Sequence, residues 1–339
     1  MSSLSAAEMA MAHDHVTDSI GRTPLVRLSR LFSGGTQVYA KLELCNPGGS
    51  VKDRPARYVL EQALADGTLR PGMHVVESSS GNLAIALAML CSRYGLRFTA
   101  VVDPKIAPAN LRLIRCHGGK IDIVDEKDRN GGYLDTRIAR ARQLLAGDSQ
   151  AFWVNQYANP RNWLAHFHGE GEELAHEMAA TPPDLLVLGV STSGTLHGIA
   201  RRLRQAWPDL RVVAVDAVGS VLFGTPPQAR ELPGIGASRV PELLCADEVD
   251  EVIHVDDYAA ASACRELVLR EGILAGGSSG AVIAAIQRLA ARPGAKARIV
   301  TVLPDRGDRY LDTVYDDAWL ARMRERHDRA RLPAMPLPC

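Results

Sequence analysis

An α/β fold built on mostly parallel sheet is what this sequence predicts, and three observations carry the prediction. Short apolar runs such as Val38–Leu44, Phe98–Val102, Leu185–Gly189 and Arg298–Leu303 alternate with helical periodicity along the chain. The chain has 339 residues, of which 46% are hydrophobic and 23% charged, enough for a large core divided between two lobes. No self-similarity recurs at about 20–50 residues, which excludes a solenoid.

Residues 1–17 read as a flexible lead-in. Gly21–Leu28 gives a turn and a short strand, and Val38–Leu44 a second strand. Amphipathic spacing then predicts a helix over Pro55–Ala65, followed by a strand at Met73–Glu77. Leu83–Arg93 carries Ala and Leu on most faces, so it reads as a buried helix. Strands at Phe98–Val102 and Ile121–Val124 alternate with helices at Pro108–Cys116 and Tyr133–Leu145. Asn159-Pro160 breaks the chain before a long helix, Trp163–Met178. The second half repeats the rhythm: strand Leu185–Gly189, a helix to about Ala206, strands Arg211–Asp216 and Glu251–Val255, and helix Tyr258–Arg270. Helix Ala281–Ala291 and the buried strand Arg298–Leu303 follow. Beyond about Leu320 the chain turns charged and then proline-rich, so residues 321–339 read as a frayed tail.

Composition excludes several classes of function. A formal net charge of zero lacks the basic excess of a nucleic-acid binder. No run of about 18 apolar residues is present, so no membrane span is expected. The N-terminus lacks a basic region followed by an apolar core, which points to a cytoplasmic protein. The six cysteines show no C-x-x-C spacing and read as reduced core residues. His166-x-His168 has no neighbouring Cys or carboxylate to complete a recognisable site, and no metal is expected.

Four loops each follow a strand and open a helix, which in an open α/β sheet places them at the ligand-binding edge. The first is Asn46-Pro47-Gly48-Gly49-Ser50-Val51-Lys52-Asp53-Arg54. Its lysine is either a solvated charge at a helix start or an amine held in a cleft to attack a carbonyl. The spacing does not meet the P-loop pattern. The second loop, Ser78-Ser79-Ser80-Gly81, leads to Asn82. In the third, Ser191-Thr192-Ser193-Gly194-Thr195 combines hydroxyls, a glycine and a helix N-terminus, which suits either a phosphate cradle or a capped helix. The fourth, Gly276-Gly277-Ser278-Ser279-Gly280, offers a hydroxyl where something flat could approach, or a flexible turn.

As a set these loops resemble the cysteine synthase and cystathionine β-synthase family of fold-type-II pyridoxal 5'-phosphate enzymes over roughly residues 18–315. The resemblance implies a tryptophan synthase β-like fold of two lobes. Residues 18–47 and 161–320 would form the larger, cofactor-binding domain, and residues 48–160 the smaller, substrate-binding one. It implies Lys52 as the Schiff-base lysine, Asn82 as partner of the cofactor's phenolic oxygen and Ser191–Thr195 as its phosphate cup. Ser278 would face the pyridine nitrogen, and Ser79, Ser80 and Gln156 the substrate carboxylate. A neutral hydroxyl at that nitrogen makes a weaker electron sink than a carboxylate would, which suits β-elimination over transamination. A homodimer is also implied.

Departures from plain cysteine synthases are Ser191 at the start of the cup, Leu83 after the loop asparagine, and Tyr157 after Gln156. With the runs Ala217–Gly224, Leu232–Ser238 and Leu303–Asp312, these resemble a narrower family, the N-(2-amino-2-carboxyethyl)-L-glutamate synthases of 2,3-diaminopropionate synthesis in siderophore and antibiotic pathways. That resemblance implies β-replacement on O-phospho-L-serine by L-glutamate through an aminoacrylate. Arg137, Tyr157 and Ser191 are then the candidate donors to the phosphate leaving group. A cysteine synthase, a serine or threonine dehydratase and a non-catalytic cofactor-binding homologue are the alternatives.

Overall fold

The computed structural model describes residues 12–128 and 131–331. Most of the lead-in, residues 1–11, and the end of the tail, residues 332–339, lie outside the described residues. In chain order the strands are β1 Leu25–Arg27, β2 Gln37–Leu42, β3 His74–Ser78, β4 Arg97–Val102, β5 Lys120–Ile123 and β6 Ala151–Trp153, followed by β7 Leu185–Gly189, β8 Arg211–Ala217, β9 Glu251–Val255 and β10 Arg298–Leu303. The helices are α1 Asp53–Ala65, α2 Asn82–Arg93, α3 Pro108–Cys116, α4 Leu134–Gly147, α5 Arg161–His166, α6 Glu172–Glu177, α7 Gly194–Ala206, α8 Asp257–Glu271, α9 Gly277–Ala290 and α10 Asp317–Arg331.

Two sheets result. One has six strands in the order β1-β2-β10-β7-β8-β9, and the other four in the order β5-β4-β3-β6. Every pairing is parallel except β1 with β2, which the short Gly21–Leu28 approach makes antiparallel. The central strands are buried on both faces, Val212–Val215 and Val300–Val302 among them, because helices cover both sides of a parallel sheet. One core packs α8 and α9 against the six-stranded sheet, and another packs α1 and α2 against the four-stranded one.

Three expectations are corrected. The long helix over Trp163–Met178 is interrupted by a π turn at Phe167–Gly171, with Gly169 at φ −99°, ψ −107°. Gly171 packs so close to Arg202 of α7 that a Cβ there would stand 2.8 Å from that residue's own Cβ. The glycine-rich stretch 276–280 is the first turn of α9, four residues ahead of the expected start. Gly280 has no room for a side chain against the Ala260 carbonyl and the Cys264 sulfur of α8, so helix packing overrides the poor helix propensity of glycine. The frayed tail begins later than residue 321, because α10 runs on to Arg331. Buried Trp319 and Met323 dock it, and His327 Nδ1 meets Asp256 Oδ2 at 3.0 Å.

Candidate active site

The loops at the C-terminal ends of the strands meet around Asp305, the second residue after β10. Val51 N–H donates to the Pro304 carbonyl at 2.7 Å, and Gly276 N–H to the Asp305 carbonyl at 2.9 Å. Asp305 Oδ2 accepts from Asn82 Nδ2 at 2.8 Å and from the Tyr310 hydroxyl at 2.6 Å. The Pro304–Asp305 turn, through two backbone carbonyls and one buried carboxylate, thus ties the loops of Lys52, Asn82 and Ser278 together. Burial pushes that carboxyl up from its ordinary range, against the pull of its two donors.

Lys52 stands at the N-cap of α1, its side chain making no capping bond. It lines a pocket with Leu83, Val154, Gln156, Asn159 and Asn162. Burial pushes its amine below the ordinary 10.5, while Glu170 and Asp305 pull it upward. Burial thus moves Nζ towards the neutral amine that a base or nucleophile requires. Asn82 is the first residue of α2; its Oδ1 accepts from Arg309 Nη1, and the same arginine's Nη2 donates to the Gly48 carbonyl. Only one of the two Asn82 amide hydrogens is used by Asp305, which leaves the second for a ligand.

At the start of α7, Ser193 holds a left-handed backbone at φ 70°, a conformation costing a non-glycine residue roughly 1–3 kcal/mol. Its buried hydroxyl has no hydrogen-bond partner among the described residues. The N–H groups of Thr192–Leu196 likewise find no protein acceptor there. A Cβ on Gly194 would collide with the Asn162 carboxamide, so the backbone approaches that wall as only glycine allows. Unclaimed N–H groups and an orphaned hydroxyl at a helix N-terminus fit a phosphate. Behind the cup, Thr195 Oγ1 lies 3.3 Å from His166 Nε2, and His166 Nδ1 donates to Glu170 at 2.9 Å. His168 stacks on Tyr58 instead, so the two histidines do not converge.

Ser278 is the second residue of α9 and is buried. Gly280 faces α8, and two residues back along a helix is about 200° round, so Ser278 faces the opposite way. That side is the site: a Cβ on Gly234 would stand 3.9 Å from Ser278 Oγ, and the same loop's Gly236 carbonyl accepts from Ser191 Oγ at 3.1 Å. These groups could serve a flat ring carrying a phosphate: the α7 start would suit its phosphate, Ser278 and Asn82 its edges, and Lys52 a carbonyl carbon.

Of the substrate residues, Gln156 Nε2 donates to the Ser78 carbonyl at 3.2 Å, which brings it to the Ser79–Ser80 loop. Arg137, which sequence could equally have left in solvent, lies inside: Nη1 donates to Ser80 Oγ at 3.3 Å and pairs with Asp103 Oδ2 at 3.0 Å. Its Nε is buried without a partner among the described residues. Tyr157 is half-buried, and burial raises its hydroxyl pKa while Arg137 pulls it down. Ser191 Oγ donates to the Gly236 carbonyl and, among the described residues, makes no hydrogen bond to Tyr157 or Arg137. Asp305, Arg309, Asn162 and Glu170 join the site only in the folded chain. The run Leu303–Asp312 marks Asp305 and Arg309 without giving them a role, and His166-x-His168 suggests at most a metal pair rather than a place behind the cup.

The chain matches the family described as pyridoxal-phosphate dependent enzyme over residues 16–305. It is 67% identical over 309 residues to the N-(2-amino-2-carboxyethyl)-L-glutamate synthase of Ralstonia nicotianae, covering 91% of each chain. The enzyme of the same name from Cupriavidus metallidurans is 64% identical over 330 residues, 96% of each chain. Among solved structures, O-ureido-L-serine synthase superposes with a TM-score of 0.84 at 35% identity, covering 92% of this chain and 100% of that one.

Proposed function

The chain belongs to the pyridoxal-phosphate dependent enzymes, and from that premise we propose that it makes N-(2-amino-2-carboxyethyl)-L-glutamate by β-replacement. O-Phospho-L-serine supplies the three-carbon unit, the amine of L-glutamate forms the new carbon–nitrogen bond, and inorganic phosphate leaves with the broken carbon–oxygen bond. The observation that carries this reading is Arg137 seated on Ser80, which sets a cation beside the loop proposed to hold the substrate carboxylate. The synthases of that name in Ralstonia and Cupriavidus support it.

Pyridoxal 5'-phosphate, when bound, supplies the electron sink that makes the substrate α-proton acidic and the β-substituent a leaving group. The residues do the rest. The N–H groups at the α7 start and the Ser193 hydroxyl would hold the phosphate of the cofactor. Ser278 would offer the ring nitrogen an uncharged hydroxyl in place of a carboxylate, which favours elimination over transamination. Lys52 Nζ, its pKa lowered by burial, takes the proton from the substrate α-carbon and returns one after the new bond has formed. Ser79, Ser80 and Gln156 hold the α-carboxylate, and Arg137 with Tyr157 faces the departing phosphate.

The deciding experiment offers purified holoenzyme phosphoserine together with a mixture of amino acids and sulfide, and identifies the products by mass spectrometry. The glutamate adduct is expected, with one phosphate released per product; cysteine as the main product sinks the reading. Arg137→Ala is expected to lower kcat/KM for phosphoserine roughly ten- to hundred-fold, the worth of a charge-assisted hydrogen bond. The same variant should hardly change O-acetylserine, whose acetyl group carries no charge. Equal losses on both substrates would remove Arg137 from the phosphate site. The cytoplasm as the compartment, a homodimer as the assembly and a siderophore or antibiotic pathway as the destination belong to the same proposal.

A further inference from the structure

The connection between β8 and β9, residues 218–250, folds back over the site. Its Gly236 carbonyl holds Ser191, its Gly234 approaches Ser278, and its Leu243 N–H donates to the Tyr157 carbonyl at 3.2 Å. It is therefore a wall shared by the phosphate cup, the ring site and the substrate side.

Three arginines act on the Tyr157 hydroxyl through their charge: Arg137, Arg239 and Arg230. Two of them already have a carboxylate partner. Arg137 pairs with Asp103, and Arg239, whose guanidinium lies 5.8 Å from the Tyr157 ring centroid, pairs with Glu242. Among the described residues Arg230 has none. It is half-buried, and no carboxylate there comes within 4.0 Å of it. Its side chain makes one hydrogen bond there, from Nη1 to the Ile235 carbonyl at 3.0 Å. Asp216 and Asp257 draw on it from farther away; Asp257 is engaged by backbone N–H groups, while Asp216 Oδ2 is buried with no hydrogen-bond partner among the described residues. Asp216 Oδ1 accepts from Ala217 N–H at 2.8 Å, and Asp257 from the N–H groups of Glu231 and Leu232 at 2.7 and 3.3 Å. A guanidinium has five N–H donors and cannot shed its charge. Held half out of water with most of them unused, it calls for an anion.

The substrates supply one. The α-carboxylate and phosphate of the first substrate already have Ser79, Ser80, Gln156 and Arg137. The incoming amino acid brings two more carboxylates. Its α-carboxylate sits next to the attacking nitrogen and so close to Lys52, whereas its side-chain carboxylate extends outward. Arg230 is not part of the pocket lining around Lys52 but stands on the wall beyond it.

We propose that Arg230 receives the side-chain carboxylate of the incoming amino acid and so selects a dicarboxylic amine as nucleophile. The proposal rests on the β-replacement reading above. Arg230→Ala holoenzyme is expected to lose roughly ten- to hundred-fold in kcat/KM for L-glutamate and to fall near its own value for L-glutamine, which should barely change. Arg230→Lys should recover part of the loss. Phosphate release in a first turnover with phosphoserine alone should match wild type, and calorimetry should show weaker binding of the product by a similar factor. If Arg230→Ala, folded by its melting curve, still prefers glutamate to glutamine as strongly as wild type, the assignment is overturned. It is overturned equally if the variant loses the phosphoserine half-reaction. A wild-type enzyme that makes no glutamate adduct at all would instead defeat the β-replacement reading, before any variant is compared.

Discussion

Replacing Lys52 with Ala is expected to abolish turnover, with a loss on the order of 10²–10⁴-fold or more from removal of the proton-transferring group alone. The residue contributes no cap to α1, so the helix should survive the change. Borohydride reduction followed by peptide mass spectrometry should find the cofactor mass on the Lys52 peptide of the wild type and nowhere in the variant. Turnover persisting in Lys52→Ala would sink the mechanism. Stability of the cofactor-free protein should move the other way. Because burial lowers the amine's pKa in the folded state, the folded chain binds fewer protons than the unfolded one between that lowered value and 10.5. The wild type therefore carries its full penalty below the window and loses it as pH rises through it. Lys52→Met should accordingly raise the melting temperature of cofactor-free protein at neutral pH, and the gain should fade towards pH 10.5.

Arg54→Ala is expected to cost about 3–5 kcal/mol of stability, the usual result of removing one partner from a buried ionic cluster. Arg54 is almost fully buried and bonds Glu43 at 2.7 and 2.8 Å and Glu173 at 2.6 and 2.9 Å, with Glu170 at 3.5 Å. Burial alone would lower the guanidinium's pKa; Glu170 and Glu43 outweigh it and raise it. Glu173 in turn is held down to about 2: burial would raise it, and Arg54, Arg22 and Lys41 prevail. Removing Arg54 would take the guanidinium from three carboxylates, two of them wholly enclosed, and leave Glu43 with no cation among the described residues. Urea denaturation with two-state analysis measures the effect, and a loss under 1 kcal/mol would contradict this account. Since Glu170 also orients His166 behind Thr195, weaker cofactor retention should accompany the loss.

The α/β architecture, the order of nearly every strand and helix, and the four loops with Lys52, Asn82, Ser191–Thr195 and Ser278 were legible in the sequence. Each is written within a few neighbouring residues: period 2 or 3.6 in the apolar positions, and hydroxyl, glycine or lysine at a strand-to-helix junction. The family resemblance assigned those loops their roles, which spacing alone left open. Other features depended on partners far along the chain. Asp305 meets Asn82 across 223 positions, and Arg54 meets Glu173 across 119. Apolar periodicity shows which face is buried and says nothing of what charge lies across from it. The break at Phe167–Gly171, the helical start at Gly277 and the docking of α10 had the same origin, since each is decided by the surface it packs on. Arg137 and Arg230 show it most plainly. As letters they are solvent charges on a helix and a loop; only the folded chain pairs the first with an aspartate and leaves the second without an ion pair among the described residues.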